Sequence, residues 1–137
     1  MKKIIVVICA ALLFNCSCQK SIETVTQDLV VQAMTNGQWV ITRFTQNNTD
    51  ITSGFSSYKF QYHSNKTVDA IKNGAIERTG NWDGNAVAMT TWADFPGATN
   101  PISLINGTWN ITRNSWTYVE ATQTNGTEIK TLRLDKQ

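Results

Sequence analysis

Two stretches of the chain decide its fold: GQWVITR at residues 37–43 and GTWNITR at residues 107–113. They share five of seven positions, and GNW at residues 80–82 repeats their opening. Successive side chains of a β-strand point to opposite faces, so each Trp shares a face with the Ile two residues later. The repeat therefore predicts two equivalent strands, with Trp39 and Trp109 turned toward a common interior.

Outward from these stretches, apolar and polar residues alternate in short runs from residue 37 onward. The turn dipeptides Asn73-Gly74 and Asn125-Gly126 tolerate the positive φ angles of tight hairpins, and Asp83-Gly84 is a third turn signal. Sequential strands with tight turns predict an all-β fold, an eight-stranded antiparallel up-and-down barrel, because closure removes the exposed edges of a sheet. The predicted strands are 38–45, 56–63, 66–72, 75–82, 86–92, 107–113, 115–122 and 128–134.

A short helix is predicted before the barrel. Residues 19–23 form a tether that leads into it, and Asn36-Gly37 ends it. A further helical turn is expected at residues 102–105, within the longest connection between strands. The apolar residues of the N-terminal helix recur at the spacing of one helix face: Ile22, Val25, Leu29 and Ala33.

The N-terminus has the pattern of an export signal. Lys2 and Lys3 precede an apolar run at residues 4–14, which is too short for a membrane-spanning helix of about 20 residues but suits a signal peptide. A cysteine directly after such a run resembles the lipobox of bacterial lipoproteins, in which the thiol takes a diacylglycerol. Cys18, preceded by a small serine, is the favoured attachment site, and Cys16 is the alternative.

These patterns predict three segments and a location. The signal peptide spans residues 1–17, the tether and helix span 18–36, and the barrel domain spans 37–137. The protein is expected to be anchored to a membrane of the cell envelope by its N-terminal lipid, at the outer membrane rather than the inner one.

Composition excludes several classes of function. Ten acidic residues face twelve basic ones, and two of the basic residues lie in the signal, so the mature chain is neutral and unsuited to nucleic acid. All three cysteines lie in the first 18 residues, and His63 is the single histidine. A zinc site or a Ser–His or Cys–His nucleophile is therefore not expected. We predict no enzyme, metal or cofactor, although paired strand carboxylates leave a small hydrolase as a further alternative.

The interior-facing residues are the candidate ligand site. The tryptophans either fill the core or line a ligand cavity. Arg43 and Arg113 share registers with apolar residues, as do Arg78 and Glu120, so an inward register brings three guanidinium groups and one carboxylate to one mouth of the barrel. Such groups must pair, reach water or meet an anionic ligand. The candidate ligand-binding residues are Trp39, Arg43, Phe60, Arg78, Trp82, Trp109, Arg113 and Trp116.

The Gly-x-Trp opening of the first strand, after a short helix, resembles the lipocalin signature. The wider pattern is similar to a lipocalin-like lipoprotein family of Bacteroidota: Gly37-x-Trp39-x-Ile41-Thr42-x-Phe44, Phe55, Tyr58-x-Phe60-x-Tyr62, Val68-x-Ala70, Gly80-x-Trp82, Pro101, Leu104-Ile105-Asn106 and Trp109-x-Ile111. The resemblance implies a lipid-anchored barrel with no assigned chemistry. It also implies that Arg133 packs across Trp39, while the mid-chain lipocalin motif has no clear match.

Two functions remain open at this point. The first is a monomeric envelope lipoprotein whose barrel binds a small apolar, amphipathic or anionic ligand. The alternative is a non-enzymatic interaction module that docks on an envelope protein or glycan through exposed aromatic residues around Trp92, Phe95 and Tyr118. A carrier requires a hollow interior of about 300–1,000 Å³, whereas a docking module requires a filled one.

Overall fold

The computed structural model describes residues 17–137, with side chains from residue 26 onward. Residues 1–16 of the predicted signal peptide, with Cys16, lie outside the described residues, and the side chain of Cys18 is not described. A helix, α1, spans Ser17–Thr35. The residues predicted as a tether are therefore helical, because neither Gly nor Pro interrupts the chain before Asn36.

Within the described region the chain forms nine strands and two 3₁₀ turns. The strands are β1 (Trp39–Gln46), β2 (Thr49–Asp50), β3 (Tyr58–Tyr62), β4 (Thr67–Lys72), β5 (Ala75–Asn85), β6 (Thr90–Asp94), β7 (Gly107–Asn114), β8 (Tyr118–Asn125) and β9 (Glu128–Lys136). The 3₁₀ turns are Thr52–Phe55 and Ile102–Ile105, and the second confirms the expected helical turn.

The eight longer strands close into an antiparallel barrel. Each pairs with its neighbour in sequence, β1 also pairs with β9, and the two-residue β2 only extends the edge of β1. The predicted up-and-down barrel is confirmed. The strand directions place α1 at the end where β1 begins, here the helix end, and both 3₁₀ turns at the opposite 3₁₀ end.

The predicted strand boundaries differ most from the structure in two places. Asp83-Gly84 is not a turn, because β5 continues to Asn85 and the hairpin turns over residues 86–89. Residues 27 and 86, far apart in sequence, are hydrogen-bonded there, and this tertiary contact overrides the local turn preference. The strand predicted from residue 115 begins only at Tyr118, so Trp116 lies in a turn.

Aromatic side chains fill the barrel. The ring of Phe44 is 4.8 Å from that of Phe55 and 5.9 Å from that of Trp109, while Phe60 and Phe95 are 6.4 Å apart. Rings at these separations are in contact, so the axis of the barrel is a packed core. The largest fully buried side chains are Trp39, Trp82, Trp109, Phe44, Phe55, Phe60, Phe95 and Val68.

A β-bulge in the first repeat changes which residues face inward. Ile41 pairs with Leu134 and Arg43 pairs with Arg133, which leaves Thr42 as an extra residue. A bulge reverses the alternation of side chains beyond it. Arg43 therefore lies on the outer face beside Arg133, and the prediction that it shares the face of Ile41 is wrong.

The second repeat carries the same bulge at the equivalent threonine. Thr112 is the extra residue between Ile111, which pairs with Ala121, and Arg113, which pairs with Glu120. Arg113 is 70% exposed on the outer face. The predicted inward cluster of Arg43, Arg113 and Glu120 is therefore wrong.

Candidate functional site

Four of the predicted ligand-lining residues are core residues. Trp39 is fully buried, and Trp82, Trp109 and Phe60 are each 1% exposed. Their rings pack on other buried side chains, as Tyr62 does on Trp82 at 5.1 Å. The structure thus confirms that the repeated tryptophans fill the interior.

At the helix end, Trp39 is held by two groups. Its indole N–H donates to the carbonyl of Met34 at 2.9 Å, which satisfies a carbonyl at the C-terminus of α1. Lys136 lies over the ring, with Nζ 5.1 Å from the centroid, and donates to the carbonyl of Ala33 at 2.9 Å. We call this set the helix-end plug.

The 3₁₀ end repeats that arrangement. The indole of Trp109 donates to the carbonyl of Ile105 at 2.7 Å, at the end of a 3₁₀ turn. Lys130 lies with Nζ 5.8 Å from the ring centroid and donates to the carbonyl of Leu104 at 3.1 Å. This 3₁₀-end plug and the helix-end plug both take their lysine from the inner face of β9.

Arg133 does not cover Trp39, contrary to what the lipocalin resemblance implies. It lies between the buried Leu132 and Leu134 in sequence and so faces outward. Its guanidinium is 4.5 Å from the ring centroid of Tyr118. Lys136 occupies the place over Trp39, because it is β9's last inward residue at the helix end.

The outer wall carries a row of charged side chains across four strands. Arg133 donates to Glu120 at 2.7 Å and twice to Asp135 at 2.8 Å, and Arg113 lies 3.8 Å from Glu120. Arg43, the direct partner of Arg133 on β1, extends the row. The guanidinium of Arg133 lowers the pKa of Asp135, so this carboxylate is ionised at neutral pH. The row pairs its own charges and forms no inward anion site.

The remaining two predicted site residues lie apart from this row. Arg78 pairs with the buried Ala70 across the sheet but is itself exposed, near the 3₁₀ end of β5. Trp116 is 52% exposed in the turn between β7 and β8. The structure therefore does not bring the eight predicted residues together as one site.

His63 is paired with a carboxylate of β4. Its Nε2 is 2.8 Å from Oδ2 of Asp69, and Thr79 donates to the other carboxylate oxygen at 2.5 Å. The Thr79 hydroxyl, followed by His63, lowers the pKa of Asp69. Among the residues that the structure describes, no three His, Cys, Asp or Glu side chains converge as a metal site.

The outer wall of the described structure carries a groove. It has a volume of about 1020 Å³ and lies between α1 and the outer faces of β5, β6 and β7. We call it the helix–sheet groove. Its lining residues are Gln27, Asp28, Lys66, Asp83, Gly84, Asn85, Val87, Ala88, Thr90, Trp92 and Thr108.

The floor of the groove is one cross-strand row. Trp92 on β6 pairs directly with Asp83 on β5 and with Thr108 on β7, so the three side chains stand side by side on the outer face. The next row pairs Asn85 with Thr90. Trp92 is 40% exposed, and every neighbour in these rows is polar.

The wall of the groove is fixed by Gln27 of α1. Its amide donates to the carbonyl of Gly84 at 2.5 Å and accepts from the N–H of Ala86 at 3.2 Å. Val30 of α1 also lies close to Gly84, 3.4 Å from the place that a Cβ would take. The helix is therefore clamped to the β5–β6 hairpin, and the groove is a preformed surface.

Lys66 and Asp83 form an ion pair at the rim of the groove. Nζ of Lys66 is 2.6 Å from Oδ1 of Asp83, which also accepts the N–H of Gly84 at 2.8 Å. These hydrogen bonds, that of Lys66 above all, lower the pKa of Asp83. Both bonds converge on Oδ1, and Oδ2 accepts none from the residues that the structure describes.

Trp92 is exposed, as the predicted aromatic patch requires, but the sequence does not predict the groove around it. Of the other two residues of that predicted patch, Phe95 is 1% exposed and Tyr118 is half-buried under Arg133. Phe95 is wrongly placed because it packs on Phe60 and under Gly80, where a Cβ would lie 2.8 Å from its ring. The alternation of Asp83 and Asn85 on one face was the available signal.

Comparison with known proteins identifies the fold but no family. No family model matches the chain, and no curated protein matches it. A DUF4847 family protein from Bacteroides vulgatus ATCC 8482, known from a crystal structure, matches with a TM-score of 0.55 and 10% sequence identity, over 79% of this chain and 99% of that one. The likeness shows a shared β-barrel fold. The relation to Bacteroidota and membership of a lipocalin-like lipoprotein family stay predictions.

We also asked whether the helical part of the chain could cross a membrane. Over the described residues, no helix combines the length and the apolar character that a membrane span requires.

Proposed function

We propose that the protein is a lipid-anchored, monomeric binding module of the cell envelope, without catalytic activity, whose ligand occupies the helix–sheet groove. One observation carries the proposal: aromatic rings pack the barrel interior, while an open groove of about 1020 Å³ lies on the outer wall. Ligand sites are concave and largely preformed, and this groove meets both conditions.

The anchor is proposed from the sequence that precedes the helix. Lys2 and Lys3, the apolar run at residues 4–14 and the cysteines at 16 and 18 have the order of a lipoprotein signal. A lipid on Cys18 would sit at the start of α1, whose other end is the helix end of the barrel. The proposed location is the outer membrane.

Metabolic labelling with a fatty acid tests the anchor. The full chain is expressed in a bacterium that processes lipoproteins, and its N-terminal peptide is analysed by mass spectrometry. We expect label on the wild type and on Cys16→Ser, and none on Cys18→Ser. Cys9→Ser is the matched control because it lies inside the apolar run. Label that survives removal of both candidate cysteines contradicts the anchor.

Extraction of bound lipid tests the packed interior. The purified protein is denatured in organic solvent, and the released molecules are quantified by mass spectrometry. Because the interior is filled by side chains, we expect no stoichiometric apolar molecule beside the covalent anchor. A stoichiometric fatty acid or similar molecule would restore the interior carrier and overturn the groove as the binding site.

A further inference from the structure

Trp92 differs from the other exposed tryptophan by its surroundings. It stands on the floor of the helix–sheet groove between Asp83 and Thr108, whose Cβ atoms are about 4.5–5.5 Å from its own in cross-strand pairs. Trp116, at 52% exposure, lies in a turn and does not line the groove. Single exposed Trp side chains are common on protein surfaces, so Trp92 is distinguished by the residues around its ring.

Most side chains that line the groove carry hydrogen-bonding groups, and they stand beside apolar surface of Trp92, Val87 and Ala88. Asn85 and Thr90 lie one row further along the strands, and Gln27 and Asp28 form the opposite wall. Val87 and Ala88 are the groove's other apolar side chains, both at its edge in the exposed 86–89 loop. An acyl chain would leave this polar lining without partners, and buried polar groups without partners are costly.

The charges of the groove disfavour an anion. Its lining holds two aspartates, Asp28 and Asp83, and one lysine, Lys66, which already pairs with Asp83 at 2.6 Å. A phosphate or carboxylate ligand would meet a net negative surface without a free cation. A quaternary ammonium ligand is bound by a cage of several rings, and Trp92 is the single aromatic residue of the groove lining.

The ligand must therefore stack on one aromatic ring, hydrogen-bond to polar side chains and carry no negative charge, and one ligand class meets these three conditions. A pyranose ring has an apolar C–H face, which the negative face of an indole attracts, and hydroxyl groups around its edge, which hydrogen-bond to carboxylate, amide and hydroxyl side chains. We infer that the helix–sheet groove binds a neutral saccharide, with one sugar ring stacked on Trp92 and its hydroxyls bonded to Asp83 and the residues of the adjacent row. This inference rests on the proposed function.

Asp83 is the specificity-determining partner in this arrangement. Oδ1 is held by Lys66 and by the N–H of Gly84, and Oδ2 is directed to no partner among the described residues. The fixed carboxylate can therefore accept a hydroxyl hydrogen beside the stacked ring without reorganising. Gln27 keeps α1 at the same distance from the sheet, so the width of the groove is set before a ligand arrives.

Calorimetric titration tests the inference on the full, lipidated protein in a detergent without a sugar headgroup. The probes are neutral oligosaccharides of glucose, mannose, xylose and N-acetylglucosamine, with choline and inorganic phosphate beside them. We expect saturable binding of at least one oligosaccharide and no binding of choline or phosphate. Trp92→Ala should weaken the binding at least tenfold, and Asp83→Asn should weaken it severalfold.

Trp116→Ala is the matched control, since it removes an indole that is 52% exposed, against 40% for Trp92, outside the groove, and it should leave the affinity unchanged. Melting temperatures of all variants establish that each is folded. Binding that survives Trp92→Ala, absence of binding to every oligosaccharide, or binding of choline in their place overturns the inference. Vesicles of neutral phospholipid form a further arm, and Trp92-dependent binding to them assigns the face to the membrane and also overturns it.

These experiments distinguish failure of the saccharide inference from failure of the proposed function. No oligosaccharide binding together with an empty interior in the lipid extraction removes the saccharide and leaves the groove as the proposed site. A stoichiometric interior lipid removes the proposed function itself.

Discussion

The two ends of the barrel are closed by the same device in different surroundings. At each end an indole N–H donates to a carbonyl at the end of a helical turn, and a lysine of β9 covers the ring. The hydrogen bond of Trp109 is buried, whereas that of Trp39 is only partly buried under a much longer helix. Both indoles are buried, so the two ends differ in the acceptor residue: Ile105 of the 3₁₀ turn is buried, whereas Met34 of the 19-residue α1 is half-buried.

Replacement of Trp39 and Trp109, the buried tryptophans of the two ends, by phenylalanine should give the largest losses in the free energy of unfolding, and the losses should differ between the two ends. Trp109→Phe should cost about 3–4 kcal/mol, because it leaves a cavity and a buried carbonyl at Ile105 without a donor. Trp39→Phe should cost less, about 2–3 kcal/mol, because it leaves a comparable cavity but its acceptor residue, Met34, is only half-buried. Chemical unfolding measures both, with the half-exposed Trp92→Phe as a control within about 0.5 kcal/mol. Equal losses at the two ends would remove the distinction.

The glycines that open the two repeats, Gly37 and Gly107, also differ between the two ends of the barrel. Gly107 has φ +109°, and a Cβ there would lie 2.6 Å from Nε2 of Gln123, which donates to the carbonyls of residues 106 and 108. Gly37 has φ +98°, but its Cβ would make ordinary contacts, with the flexible stem of Lys136 at 3.4 Å and the carbonyl oxygen of Gln137 at 3.6 Å.

We expect Gly107→Ala to cost about 2–3 kcal/mol and Gly37→Ala about 1–2 kcal/mol. Gly126→Ala is the matched control, because Gly126 has a positive φ of 60° with nothing within 4 Å of the new Cβ. Thermal unfolding ranks the three variants. A Gly37→Ala loss as large as that of Gly107→Ala would show that backbone strain alone decides the cost.

Substitution of Lys130 and Lys136, the lysines that cover the two indoles, should give a smaller difference in stability between the two ends. Lys130 is 6% exposed, so Lys130→Met leaves the carbonyl of Leu104 without its donor and should cost about 1 kcal/mol. Lys136 is half-buried, and Lys136→Met should cost less than about 0.5 kcal/mol because methionine keeps the apolar stem over the ring. Denaturant midpoints measure both. A more stable Lys130→Met would mean that desolvation of the ammonium outweighs its hydrogen bond.

The smallest expected effect concerns the arginines that end the two repeats on the outer wall. Arg113 faces Glu120, whereas Arg43 stands beside the like-charged Arg133. Arg113→Met should therefore lower stability slightly, and Arg43→Met should leave it unchanged or raise it slightly. Urea midpoints at low salt measure the difference, which high salt should abolish.

Arg133 gives the same row a pH dependence. The native pKa of Asp135 is lowered, chiefly by Arg133, so this pair stabilises the fold above the unfolded aspartate pKa of about 3.9. The contribution is lost as the pH falls through the lowered native pKa. The wild type should thus be more stable than Arg133→Met at pH 7, and the difference should shrink toward pH 2. A constant difference would contradict the ionic origin.

Much of the barrel follows from the alternation of side chains alone. Trp39 and Trp109 face inward because each lies in register with an apolar residue, and the closed sheet follows from the number of short strands. The inward cluster of arginines fails for one reason: Thr42 and Thr112 are bulges. A bulge depends on how many residues the partner strand offers, and this number is not visible in the strand's own sequence.

The groove could not be predicted from the alternation of side chains, because it also depends on a contact between distant parts of the chain. It forms where Gln27 meets residues 84 and 86, nearly 60 positions further along the chain. The alternation around Trp92 indicates its exposed face, but nothing local specifies that a helix will wall that face. Asp83-Gly84 even indicates a turn there, and the docked helix instead keeps β5 extended.

The seam between β1 and β9 has a consequence for how the molecule is made. Trp39 pairs with Lys136, and the N–H of Gln137 donates to the carbonyl of Gln38 at 2.8 Å, so the first strand of the barrel is completed by the last residues of the chain. During synthesis β1 emerges first and keeps one edge unpaired until every other strand has been added. Pairs of such high sequence separation form slowly, and an open edge recruits other chains. The edge of β1 that β9 covers in the folded barrel is therefore open to pairing with other chains until β9 has been made.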